Sequence, residues 1–248
     1  MTHSSHHGAE APRALHALIV VAHPEPTSFS HAMAQTATAA LTGAGHVVEV
    51  TDLYAQAFDP VSDRRNFLTT ASDARFDQHV EERAAVGGAS FAPDLAREMA
   101  KLARADLVIF QFPLWWMGMP AIMKGWIDRV FALDFAYGGG RWFDRGRFAG
   151  KRAMLSFSVG GPPEAYSTDG IYGPMADIVH PVHHGVLNFV GFTVLEPFVA
   201  YGPGRLDLTG RRLLLTEYQA AIAGIAERPA LPTVASDDFD RFVRRTAG

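Results

Sequence analysis

The hydrophobic positions of this chain form short apolar runs that alternate with longer segments of helical spacing. The first run, residues 15–22, is apolar almost throughout, which is typical of a strand covered on both faces in a parallel sheet. The short run at 47–50 alternates with polar residues and is expected nearer an edge. In all, strands are predicted at residues 15–22, 47–50, 106–112, 152–159 and 192–200. Helices are predicted at residues 29–41, 93–105, 120–131 and 208–227, with a partly helical stretch at 173–190.

Residues 53–91 interrupt this alternation. They are polar, carry Phe58, Phe67 and Phe76, and show no sustained period of 2 or 3.6. A segment of this length inside a compact domain usually serves function, so we interpret it as a functional excursion.

The strand–helix alternation predicts an α/β fold, a doubly wound parallel sheet of five strands. Five strands with one excursion favour the flavodoxin-like order 2-1-3-4-5 over a six-stranded dinucleotide-binding sheet. We divide the chain into a disordered extension (1–14), the sheet domain (15–228) and a C-terminal tail (229–248). Ligands of such sheets gather at the carboxyl ends of the first, third and fourth strands.

Composition narrows the chemistry. The 248 residues include no cysteine, which excludes disulfides, thiolate catalysis and Cys-ligated metals. The net charge of −4 argues against nucleic-acid binding, and no apolar run approaches the ~20 residues of a membrane span. A soluble, cytoplasmic protein is predicted.

Two histidine groups raise the question of a metal. His3, His6 and His7 lie in the polar extension, which we interpret as a loose terminus. His180 and His184 have helical i, i+4 spacing, but no H-E-x-x-H context supports a metal site there. We therefore predict no metal site.

The loop after the first strand contains neither G-x-G-x-x-G nor G-x-x-x-x-G-K-[ST], so it lacks both nucleotide fingerprints. Thr27, Ser28 and Ser30 stand at a helix start instead. Hydroxyls and free backbone N–H groups there bind phosphate without a cation, but the same residues also make an ordinary N-cap. The residues alone leave both interpretations open.

The loops after the third and fourth strands have a different character. Trp115 and Trp116 are adjacent, which suits either a wall for a flat heteroaromatic ring or a dimer interface. Gly160 and Gly161 allow close backbone approach to a ligand, although glycines after a strand often only make a turn.

Specific stretches recur in a fixed order between residues 15 and 200. They are 17–23, 27–29, 52–55, 107–114, 116, 120–126, 135–137, 160–161, 166–167, 170–171, 191–192 and 194–197. In this order they resemble the NAD(P)H:quinone oxidoreductase family, the DT-diaphorase and bacterial drug-activity-modulator flavoproteins. The resemblance implies a flavodoxin-like homodimer with a flavin at each subunit interface. It also implies that NAD(P)H reduces the flavin and leaves, and that a quinone-like acceptor then takes its place in a two-electron ping-pong reaction.

The resemblance implies roles position by position. Residues holding the flavin phosphates would be His23, Thr27, Phe29 and Ser30. Residues framing the ring and its rim would be Pro113, Leu114, Trp115, Trp116, Met117, Ser158, Val159, Gly160 and Gly161. Tyr166 would donate a hydrogen bond near the ring carbonyl that gains charge, and Tyr137 with Trp116 would line the substrate pocket. FAD is preferred as the flavin because residues 53–91 and 201–205 resemble the FAD-binding branch of the family. FMN remains the alternative. Arg205 would meet the adenosine end, or lie solvated at the surface.

The sequence also departs from the family. Tyr172 stands where mammalian members carry a histidine, and a phenol, with a reference pKa of about 10, forms no cation near neutrality. A tyrosine–histidine relay through Tyr166 therefore cannot operate unchanged. Trp115 replaces a glutamine, Val159 a threonine, and Gly139 a second pocket tyrosine, so the acceptor is not determined. The choice of NADH or NADPH also stays open, because the nicotinamide cofactor needs no dedicated fingerprint in this fold.

A different class is a flavin-binding regulatory or electron-carrier protein without turnover, since the fold alone does not fix function. A carrier exposes the edge of its flavin to a partner protein. Trp115, Trp116, Tyr137 and Tyr166 instead suggest an enclosed substrate slot, so the enzyme is preferred.

Overall fold

The computed structural model describes residues 13–240 and 242–245. Five parallel strands form the central sheet in the order β2-β1-β3-β4-β5, as the alternation predicts. The strands are β1 (His16–Val21), β2 (Val47–Asp52), β3 (Leu107–Pro113), β4 (Arg152–Val159) and β5 (Thr193–Tyr201). The alternating second run is an edge strand, as expected.

Six α-helices flank the sheet in the described part of the chain. They are α1 (Phe29–Gly43), α2 (Gln78–Gly88), α3 (Pro93–Arg104), α4 (Ala121–Val130), α5 (Met175–Val182) and α6 (Leu208–Ala223). A π-helical segment, His183–Asn188, continues α5. Short 3₁₀ helices lie at Arg64–Asn66, Phe143–Arg145, Pro163–Tyr166, Pro203–Arg205 and Ser236–Asp238. A small antiparallel hairpin, β6 (Phe239–Asp240) with β7 (Val243–Arg244), ends the described chain.

Two hydrophobic cores cover the sheet, one on each face. The side chains of β1 alternate between them: Leu18 and Val20 face the core that α3 and α4 complete, and Ile19 faces the core of α1 and α6. Both sets are at most 1% exposed. This explains why the first run is apolar throughout, since neither face of the strand meets water.

No helix or strand was predicted in residues 53–91. The segment contains α2, whose buried residues are Glu81, Glu82 and Ala85. Glu82 accepts hydrogen bonds from the Leu133 N–H at 2.7 Å and from Gln78. Because two of its three buried side chains are carboxylates, α2 shows no apolar period, although it packs like any other helix.

The predicted limits of the domain, 15–228, and of the tail remain predictions. The predicted extension 1–14, with His3, His6 and His7, falls almost entirely outside the described residues. In the described part of the chain, no helix has the length and apolarity needed to cross a membrane.

Candidate functional site

The carboxyl ends of three neighbouring strands meet at one edge of the sheet. Val21 at the end of β1 pairs with Gln111 of β3, and Pro113 at the end of β3 pairs with Ser158 of β4. The Leu114 N–H continues the ladder to the Ser158 carbonyl at 2.8 Å. The loops after β1, β3 and β4 therefore start side by side, as predicted.

The loop after β1 is held by its own hydrogen bonds. The Glu25 N–H donates to His23 Nδ1 at 3.0 Å, and the Glu25 carboxylate accepts from the Thr27 N–H at 2.9 Å and from the Thr27 hydroxyl at 2.7 Å. These two bonds from Thr27 hold the pKa of Glu25 below its ordinary value. Burial lowers the pKa of His23. The loop is thus a closed network before any ligand arrives.

The N-terminus of α1 offers free donors beside this loop. Ser28 is the N-cap, and its Oγ accepts a hydrogen bond from the His31 N–H at 3.3 Å. Within residues 13–240 and 242–245, the N–H groups of Phe29 and Ser30 have no acceptor. Free N–H groups at the positive end of a helix dipole suit a phosphate. On this observation, the predicted phosphate residues fit a phosphate-bearing cofactor.

A contact between α1 and the end of β2 was not predicted from the sequence. His31 Nε2 lies 2.9 Å from Asp52 Oδ2 at the end of β2. The two residues are 21 positions apart, and no spacing motif connects them. Only the pairing of β1 with β2 brings them together.

The tryptophans lie on a strained two-residue turn. Trp115 and Gly118 exchange hydrogen bonds at 3.0 and 2.9 Å, with Trp116 at φ +50° and Met117 at φ +56° between them. The left-handed region costs a non-glycine residue roughly 1–2 kcal/mol, so the turn stores strain. It presents Trp116 fully to solvent and places the ring of Trp115 6.1 Å from that of His23. The enclosed slot that the sequence suggests is therefore open on this side in a single chain.

The loop after β4 holds two of the predicted tyrosines together. Tyr166 is buried on the 3₁₀ helix Pro163–Tyr166, and its ring centre lies 5.1 Å from that of Tyr172. A Cβ on Gly161 would lie 3.1 Å from the ring of Tyr166, whereas at Gly160 it would meet open space. Close packing therefore fixes the contact between Gly161 and Tyr166, whereas the backbone of Gly160 remains accessible.

Tyr201, at the end of β5, completes this aromatic group, a contact that the sequence did not predict. Its ring lies 5.9 Å from that of Tyr166, and burial raises its pKa. Arg205 is exposed on the 3₁₀ helix that follows, where the Gly202 N–H donates to the Val159 carbonyl at 2.8 Å. Arg205 thus lies near the end of β4, and its guanidinium has no hydrogen-bond partner among the described residues.

Tyr137 lies apart from these loops. It lines a cavity of about 390 Å³ with Glu82 of α2 and Phe189, and no lining residue comes from the three loops. Burial raises the pKa of Tyr137, with further contributions from the charges of Glu82 and Asp134. One chain therefore does not bring Tyr137 to Trp116 as the predicted substrate pocket requires.

The histidines of α5 and its π-helical continuation form no metal cluster. The rings of His180 and His184 stack at 5.0 Å, while burial lowers the pKa of His183 to about 4. Among the residues that the structure describes, no group of three or more His, Asp or Glu side chains is arranged to hold a metal.

Known proteins resemble the chain along most of its length. The profile of the flavodoxin-like fold family matches residues 16–220. NAD(P)H dehydrogenase (quinone) 1 of Cavia porcellus is 41% identical over 225 residues, which cover 90% of this chain and 82% of that protein. Ribosyldihydronicotinamide dehydrogenase (quinone) of Homo sapiens is 36% identical, over 90% of this chain and 96% of its own length. A Klebsiella pneumoniae structure, provisionally described as a quinone reductase, superposes with a TM-score of 0.85 at 38% identity, covering 88% of each chain.

Proposed function

Because this chain belongs to the NAD(P)H:quinone oxidoreductase family of flavodoxin-like proteins, we propose that it is a flavin-dependent NAD(P)H dehydrogenase acting on quinones. The reaction is a two-electron ping-pong transfer to a quinone or a similar acceptor. The observation that carries the proposal is the meeting of three loops at one sheet edge, with free N–H donors of Phe29 and Ser30 beside an aromatic turn.

The residues divide into a phosphate side and a ring side. Phosphates would be bound by the start of α1, through His23, Thr27, Phe29 and Ser30. The ring would lie against Pro113–Met117 and the rim Ser158–Gly161. A bound flavin supplies the two-electron carrier that passes hydride from nicotinamide to quinone. The chain's part is to hold the ring, shape one slot for both co-substrates in turn and place dipoles where charge develops.

Tyr166 is the proposed donor to the ring carbonyl. Its burial against Gly161 fixes its position, and Tyr172 packs on its ring where the mammalian members of the family have a histidine. A phenol at this position can orient Tyr166 by contact, but it cannot stabilise charge as an imidazolium does. We therefore assign charge stabilisation to Tyr166 and to the backbone dipoles around Gly160.

The proposal includes FAD as the flavin and a homodimer with the site at its interface. The ordered excursion with α2 and the exposed Arg205 beside the end of β4 support FAD. Fully exposed Trp116 and the separate cavity of Tyr137 support the dimer, because a second copy could supply the missing wall. The pool of nicotinamide co-substrates favours a cytoplasmic location, which cell fractionation tests.

The decisive experiment is anaerobic stopped-flow reduction of the purified protein by NADH and by NADPH, followed by reoxidation with a panel of quinones. We expect bleaching of the flavin and rapid return of colour with a quinone. A flavin that neither nicotinamide bleaches would favour the carrier alternative, for which the open aromatic turn is the supporting observation. Chromatography of the heat-released flavin identifies FAD or FMN, and ultracentrifugation gives the oligomeric state.

A further inference from the structure

His31, in the first turn of α1, makes three side-chain contacts. Nε2 lies 2.9 Å from Asp52 Oδ2, while Nδ1 lies 3.0 Å from the Glu25 carbonyl oxygen and 3.0 Å from Ser28 Oγ. Only 13% of the His31 side chain is exposed. The ring is therefore fixed by groups from the loop after β1 and from the end of β2.

The identities of these partners determine which protons the ring carries. A carboxylate and a carbonyl oxygen only accept hydrogen bonds, and they contact different ring nitrogens. Both bonds form only if Nδ1 and Nε2 each carry a proton, which makes His31 an imidazolium. In a neutral ring with the proton on Nε2, the lone pair of Nδ1 would face that of the Glu25 carbonyl at 3.0 Å.

The hydrogen bonds of Asp52 orient its carboxylate toward the imidazolium of His31. Its Oδ1 accepts hydrogen bonds from the N–H groups of Tyr54 and Ala55, each at 3.1 Å, which leaves Oδ2 directed at His31. The other titratable groups beside His31 are His23, whose ring lies 6.4 Å away, and Glu25. Without the positive charge of His31, an anion bound here would face the carboxylates of Glu25 and Asp52.

The state of His31 in turn decides what Ser28 can do. Ser28 Oγ already accepts from the His31 N–H, and the single proton on Nδ1 is shared between the Glu25 carbonyl oxygen and Ser28 Oγ, each 3.0 Å away. With its acceptor side occupied, Ser28 keeps its hydroxyl proton for an outside acceptor. If Nδ1 were unprotonated, the Ser28 hydroxyl would donate to Nδ1 instead.

We propose that His31, as an imidazolium between Asp52 and the Glu25 carbonyl, is a positioning residue that makes the Ser28 hydroxyl a donor to the cofactor's phosphate. The inference rests on the proposed function, because the phosphate is that of the flavin. It supplies the cation that the sequence of the loop lacks and brings in Ser28 as a direct ligand.

The test measures binding of FAD, FMN and riboflavin to flavin-free protein by quenching of flavin fluorescence. His31→Gln should weaken FAD and FMN binding about tenfold or more, the usual scale for a lost hydrogen bond to a charged group. Riboflavin, which has no phosphate, should bind within about twofold of wild type. His16→Gln, an exposed histidine at the opposite end of β1, is the matched control and should change nothing.

A double-mutant cycle separates positioning from general damage. Ser28→Ala should weaken FAD binding as much as His31→Gln does, and the double variant should be no weaker than either single variant. Fully additive losses would overturn the proposal. If His31→Gln does not fold, Asp52→Asn removes the carboxylate that holds the imidazolium and should give the same phosphate-specific loss.

Proton dependence gives a readout that a structural role would not move. FAD affinity of the wild type should fall as the pH rises, and the affinity of His31→Gln should depend less on pH. The remaining slope of the variant reports His23. If His31→Gln binds all three flavins like wild type, the inference fails and the proposed function stands. If the wild type binds no flavin, the proposed function fails first.

Discussion

The two sides of the candidate site differ in how complete they are within one chain. On the phosphate side, Glu25, Thr27, Ser28 and His31 satisfy one another through short hydrogen bonds. On the ring side, the Trp115–Gly118 turn is strained and Trp116 is fully exposed. Binding to a preformed network loses little conformational entropy, whereas a strained and open turn leaves the Trp116 side chain exposed to solvent. The comparison shows that the loop proposed to bind phosphate is already ordered by its own hydrogen bonds, whereas the turn proposed to frame the ring is strained and open in a single chain.

The largest expected effect comes from breaking the support of the ring side. A Cβ at Gly170 would lie 2.3 Å from the Glu164 carbonyl oxygen and 2.5 Å from backbone atoms of Ala165. Gly170→Ala should lower the free energy of unfolding by about 1–3 kcal/mol or more, because backbone must move. Thermal melts measure this loss, and Gly204→Ala, where a Cβ meets open space, should melt like wild type.

The same variant tests whether the two sides of the site are independent, because Tyr166 precedes Gly170 on the same segment. Displacement of Tyr166 should change the absorption spectrum of bound flavin. Because the phosphate side is a separate network, binding of FAD should survive with reduced affinity. Complete loss of binding with an unchanged melting temperature would contradict the division into two sides.

Acid affects the stability of the whole fold as well as the phosphate side, and His183 is expected to contribute to that effect. Burial lowers its pKa to about 4, below the ordinary value of about 6.5 that applies to the unfolded chain. The unfolded chain therefore binds the extra proton first, and stability falls as the pH drops from about 6.5 towards about 4.

His183→Phe should reduce the loss of unfolding free energy in acid by at most about 3 kcal/mol. Urea unfolding at about pH 7 and about pH 4.5 measures the difference between the two conditions for each variant. The exposed His16→Gln should keep the wild-type difference. Equal acid losses in His183→Phe and wild type would assign the sensitivity to other groups.

A smaller effect tests the strain itself. Met117→Gly places a residue without a Cβ at φ +56° and should raise the free energy of unfolding by about 0.5–1 kcal/mol. Flavin affinity should fall at the same time, because a side chain that we propose frames the ring is lost. The matched control is Gly118→Ala, whose Cβ would have 3.9 Å to the nearest atom. A less stable Met117→Gly protein would show that the turn is not the strained part.

The smallest effect concerns the network of the phosphate side. Thr27→Val removes the hydroxyl donor to Glu25 and leaves the N–H donor, so the pKa of Glu25 should rise towards its ordinary value. Because that pKa is depressed in the folded chain, the network is lost as the pH falls through it. Carboxyl NMR titration measures the shift. Thr36→Val, whose hydroxyl bonds within α1, should leave Glu25 unchanged.

Much of the fold followed from local pattern. β1, β3 and β4 were predicted within about two residues at each end, because burial on both faces leaves continuous apolar runs. The helix α2 was missed since Glu81 and Glu82 are its buried residues, and a buried carboxylate is indistinguishable from a solvated one in sequence. The π-helical turn His183–Asn188 likewise has no residue signature that sets it apart from α5.

The sequence by itself determined the sheet order, the three loops at its edge and the residue types that those loops carry. These depend on periodicity and on motifs within a few positions, which the chain displays directly. Only the tertiary structure decided that His31 meets Asp52, that Trp116 and Met117 adopt left-handed turns, and that Tyr137 lies away from the loops. The physical reason is that the His31–Asp52 contact and the place of Tyr137 depend on strand pairing and packing between distant segments, which leave no local pattern. Trp116 and Met117 adopt φ values that their residue types disfavour, so their identities do not predict the turn.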